Sequence, residues 1–112
     1  MTKKGFEDYL FEVYGHKNGT AKSYITAINI IDELFVNHDI FALNGESITC
    51  LDDLMLLRQI ANFVCLQQTL YEKGEDSFFR NINSCQSSYP GKGFCSAAIK
   101  QLLKSLLSTK NI

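Results

Sequence analysis

The chain has 112 residues, 46% of them hydrophobic, with eight phenylalanines, five tyrosines and one proline; this is the composition of a single globular domain, and it excludes disordered, collagen-like and proline-rich classes. The formal net charge of −1 excludes a global electropositive field, so any attraction for polyanions has to come from a local patch. No apolar run is long enough to span a bilayer, and "MTKKGFEDYL" carries acids where a secretory leader is purely apolar, which gives the expectation of a cytoplasmic protein with no membrane partner.

The first predicted helix covers Phe6 to Tyr14, where Phe6, Tyr9, Leu10 and Val13 follow the i, i+3, i+4, i+7 spacing of one buried face. Gly15 is its expected stop, because glycine enters the left-handed region without a Cβ clash. Residues 15–19, "GHKNG", then make a tight basic connection. A second helix is predicted from Thr20 to Phe35, with Ala21, Tyr24, Ile25, Ile28, Ile31 and Phe35 inward and Lys22, Thr26, Asn29 and Glu33 outward. Asn18 or Thr20 is the expected cap. Asp32 falls beside the apolar stripe, and nothing local explains it.

"VNHDIFALNGES" reads as a loop with a turn at Asn44-Gly45 and with Ile40, Phe41 and Leu43 tucked against the core. Ser47 or Thr49 is the expected cap of a third helix, with Asp52 and Asp53 in its first turn, where the positive end of the helix dipole favours acids. Its body, "LMLLRQIANFVCLQQTLY", is apolar almost all round, as in a helix buried between others or one that forms a dimer interface. Gly74 ends it. "EDSFFRNINSC" predicts a short fourth helix resting Phe78, Phe79 and Ile82 on the bundle. The last helix is predicted from Phe94 to Leu107, with Cys95, Ala98, Ile99, Leu102, Leu103 and Leu106 inward and Ser96, Lys100, Gln101 and Lys104 outward. The sum is an all-α, compact four- to five-helix domain of orthogonal or bundle-like architecture.

Four cysteines, Cys50, Cys65, Cys85 and Cys95, include no C-x-x-C pair to offer one metal two thiolates, and four free thiols are expected. His16 and His38 lie in separate loops without neighbouring ligands. No phosphate-binding glycine loop is present, and the Asp52-Asp53 pair is explained by the helix start. Neither a catalytic set, a metal site nor a cofactor is therefore expected. What remains is positional: the second and last helices each begin after a basic, glycine-containing turn, "HKNGTAK" and "YPGKGFCSAAIK". A helix amino terminus presents unpaired N–H groups and partial positive charge, so Lys17, Lys22, Lys92 and Lys100 there make two candidate phosphate sites. Asn18, Thr26, Asn29, Ser96 and Gln101 are the candidate readers of base edges, provided the two starts lie side by side on double-stranded DNA.

The segments "FEDYLFEVYG", "GTAKSYITAINIIDELF" and "GFCSAAIKQLLKSLL" resemble the helical amino-terminal domain of tyrosine recombinases and phage integrases, in which a "T-x-x-S/T-Y-x-x-A-L" helix and a later "S-A-L-K" helix recur. They are also similar to the version of this domain at the front of bacterial restriction endonucleases, whose "Y-S-A-A-L-K" stretch corresponds here to residues 94–100, with Phe94 in place of the tyrosine. The resemblance spans about residues 6–107 and implies a SAM-like, core-binding-type fold for a single helical domain over 1–112. It also implies a DNA-holding role in which Lys22, Thr26, Ser96, Lys100 and Lys104 face the duplex. It leads to the expectation of a non-catalytic amino-terminal DNA-binding domain of a larger enzyme, or a freestanding small protein. The competing expectation is an interaction module or homodimer, built on the third helix or on exposed Phe11, Ile30 and Leu34.

Overall fold

The computed structural model describes residues 2–16, 19–81 and 93–110. Helix α1, Lys3–Tyr14, starts where the Thr2 hydroxyl accepts a hydrogen bond from the Gly5 amide at 3.0 Å. Phe6 and Leu10, one turn apart, are buried as the spacing requires. Val13, predicted inward, is 52% exposed: it stands in the final turn, just before Gly15 reverses the chain at φ 75°.

Helix α2, Thr20–Asn37, runs two residues past its predicted end. Its amino-terminal boundary is Gly19, which makes no side-chain capping bond, so Thr20 is the first helical residue rather than the cap, and Asn18 lies outside the described residues. The buried set is Ala21, Ala27, Ile28, Ile30, Ile31, Leu34 and Phe35. Ile30 and Leu34, expected on the outer face, are 4% and 0% exposed, and Phe11 is half-buried. The reason is that α2 is packed by α1 and also by the last helix, so its apolar face is wider than one stripe.

Asp32 has a structural task. Its carboxylate accepts the Ser47 hydroxyl at 2.6 Å and the Ile48 amide at 2.9 Å, pinning the returning loop against α2. That loop contains the Asn44-Gly45 turn, both residues at positive φ, 56° and 81°. Leu43 is buried and Phe41 half-buried, while Ile40 is 48% exposed and not tucked in. Phe41 supplies what the core needs there, its ring lying 5.5 Å from Phe35 and 5.7 Å from Phe63.

Ser47 and Thr49 do not cap the third helix. They build a separate 3-10 turn, Ile48–Cys50, in which the Ser47 oxygen accepts from the Thr49 amide. Helix α3, Leu54–Glu72, is capped by Asp53, whose carboxylate accepts from the Leu56 amide at 3.1 Å; both acids thus precede the first turn instead of occupying it. Its carboxyl end closes with Gly74 at φ 76° and the Glu75 amide bonded back to the Leu70 carbonyl. The predicted fourth helix is a 3-10 turn, Phe78–Asn81, that buries Phe79; Ile82 lies outside the described residues.

The last described helix, α4, spans Phe94–Lys110. Cys95, Ala98, Ile99, Leu102 and Leu106 are buried, with Leu103 half-buried. It packs against α2 and α3 and touches α1. The fold is all-helical. Its 13.4 Å radius of gyration matches the ~13 Å of a compact chain of this size. Cys50, Cys65 and Cys95 are thiols, not disulfides, and Cys85 is outside the described residues.

Candidate nucleic-acid interface

Three aromatic rings join the end of α1 to the starts of α2 and α4. Tyr14 meets Tyr24 edge-on at 5.5 Å, and Tyr24 meets Phe94 edge-on at 6.4 Å. Phe94 is the first residue of α4, and Tyr24 lies little more than one turn into α2, so the two amino-terminal ends adjoin. The Tyr14 phenol is pushed above its ordinary range by burial, then by the Tyr24 phenol through its charge and a shared hydrogen bond, and lastly by Tyr9. The Tyr14 phenol is therefore a neutral donor and acceptor at physiological pH.

Lys22 stands exposed in the first turn of α2, and Thr26 stands exposed one turn on, its hydroxyl donating to the Lys22 carbonyl at 3.0 Å. Asn29 continues this outer line. On α4, Lys100 and Lys104 are exposed one turn apart. Lys104 sits ten residues from Phe94, about 15 Å along the axis, so it extends the site down α4 and is no part of the corner itself. Lys17, Asn18 and Lys92 lie outside the described residues.

Ser96 is not an outward reader of bases. It is half-buried, its amide donates to the Gln68 side-chain oxygen at 2.9 Å, and its hydroxyl accepts from the Gln68 nitrogen at 2.9 Å and donates to the Gly93 carbonyl. Gln68, on α3, thus caps α4 from another helix. Gln101 is likewise half-buried. The aromatic corner and the Gln68 cap are the parts sequence reading missed. A signal was available for the second: Gln67-Gln68 falls one turn after Val64 on the buried stripe, where amides need partners.

Comparison with protein families, curated proteins and solved structures yields no match.

A cleft of about 470 Å³ is lined by Gln67, Leu70, Asp76, Ser77, Phe78 and Arg80. The Gln67, Ser77 and Arg80 side chains that line it are already committed. Ser77 donates to the Gln67 carbonyl, the Gln67 side chain accepts the Phe78 amide, and Arg80 bonds the Glu75 and Tyr71 carbonyls while lying over the Tyr71 ring at 4.5 Å. His16 stacks on Phe11 and His38 packs at a tilt against Phe78, so both rings have packing partners. Among the described residues no three His, Cys, Asp or Glu side chains gather in a way that would hold a metal ion, and no helix is long and apolar enough to cross a membrane.

Proposed function

We propose that this domain is a non-catalytic DNA-binding module of a larger restriction-type endonuclease or tyrosine recombinase, holding duplex DNA by its phosphates at the joined starts of α2 and α4. The observation that carries the reading is the Tyr24–Phe94 contact, which makes one surface of two helix ends that the chain order leaves far apart. Neither α2 nor α4 has an acid in its first turn, and Lys22 occupies a position where the helix dipole alone would favour an acid. Lys22 adds its charge to the partial positive charge of the α2 start, and the two together favour an anion, while at α4 the Ser96 amide is already taken by Gln68. On this reading Lys22, Lys100 and Lys104 contact phosphates; Lys17 and Lys92, which the sequence adds to the same set, lie outside the described residues. Thr26 and Asn29 face the groove, and the cytoplasm is the compartment. No chemical step is assigned to this chain.

Fluorescence anisotropy with a labelled duplex tests the proposal. Binding is expected at about 50 mM salt and should weaken steeply toward about 200 mM, since it rests on counterion release. Lys22→Glu and Lys100→Glu should each weaken binding for any duplex sequence, because phosphate contacts carry no base information. Absence of binding at low salt would remove the reading.

A further inference from the structure

The outer face of α3 is unlike an ordinary solvated helix surface. From Gln59 to Tyr71 the helix contains no charged residue, although Gln59, Asn62, Leu66 and Thr69 in that span are exposed. The two most exposed apolar side chains of the helix, Met55 at 73% and Leu66 at 55%, are separated by three turns and so share one line along it. Between them on the same line stand Gln59 and Asn62. The line therefore reads Met55, Gln59, Asn62, Leu66: apolar, amide, amide, apolar.

That order is a palindrome. When two copies of α3 lie antiparallel about a two-fold axis passing between Ile60 and Ala61, Met55 faces Leu66 of the other copy and Gln59 faces Asn62. Along this line each apolar side chain then meets an apolar one and each amide an amide, twice over by symmetry; the exposed Arg58 beside the line falls opposite Phe63 of the other copy, and this register brings no two like charges face to face. We infer that α3 is a self-association surface and that its occupant is a second copy of this chain in this antiparallel register. The inference is independent of DNA. One helix face is smaller than the ~800 Å² per partner of a standard stable interface, so the dimer is weak and forms as concentration rises.

Sedimentation equilibrium of the full chain without nucleic acid, from about 10 μM to about 1 mM, tests it. The mass is expected to climb from 12.7 kDa toward twice that value. Met55→Lys alone and Leu66→Glu alone each place a charge opposite an apolar side chain and should weaken association by roughly tenfold or more. The double variant sets the two new charges opposite each other and should recover association. Both positions are exposed, so the variants should keep the helical circular dichroism of the parent. A parent that stays monomeric over the whole range overturns the inference. So do single variants that associate like the parent, or a double variant that fails to recover.

Discussion

Asp32 ties α2 to the loop that returns beneath it, and its environment gives it a definite pH behaviour. Burial pushes its carboxyl above the ordinary value, opposed by the hydrogen bonds from Ser47 and Ile48 and by the Lys3 charge. The folded chain therefore holds this proton more readily than the unfolded chain does. The Asp32 contribution to stability is complete below the unfolded value and is lost as pH rises through the raised folded value. Urea unfolding of the parent and of Asp32→Asn across the acidic range should show the parent losing ground to the variant as pH rises through that window. A pH-independent difference would contradict the assignment. Gln68 makes a second residue-scale case. Gln68→Leu strands the Ser96 amide, leaves the Ser96 hydroxyl only its bond to the Gly93 carbonyl, and should cost about 1–3 kcal/mol, with amide exchange at the start of α4 accelerating more than at its middle. Uniform acceleration along α4 would show general loosening, not a lost cap.

Among the helices, boundaries follow the capping groups that the structure supplies. Gly74 adopts φ 76°, and a Cβ built there meets nothing within 4 Å, so Gly74→Ala isolates the backbone cost of ending α3. That cost should be about 1–2 kcal/mol in thermal or chemical unfolding, and a neutral substitution would show that the Gly74 turn rearranges freely. The cores of α1 and α4 were legible because Phe6 and Leu10, or Cys95, Ala98, Ile99 and Leu102, repeat at a period that only a helix satisfies. The start of α3 was not. The 3-10 turn ahead of it depends on Asp32, 16 residues earlier than Ile48, and no local pattern encodes a bond of that span. Val13, Ile30, Ile40 and Leu34 were misplaced for a related reason, since a residue's exposure depends on what the rest of the chain lays over it. In the candidate site the lysines were readable from sequence. The Tyr14–Tyr24–Phe94 corner was not, because it joins residues from the two ends of the chain.

For the whole molecule, a chain of net charge −1 has no long-range field to draw in a polyanion, so the proposed DNA grip must work at short range. The carbonyl end of α1 also abuts the corner through Tyr14, and its partial negative charge opposes an anion there. The lysines of α2 and α4 must outweigh it. Binding should therefore be modest and strongly dependent on salt, with Lys22 and Lys100 acting on one duplex and not as separate sites. The most direct test is the slope of log binding constant against log salt for the parent, Lys22→Glu and Lys100→Glu. The account predicts a steep negative slope for the parent and a slope shallower by about one for each variant. A parent slope near zero, or slopes unchanged by both substitutions, would contradict it.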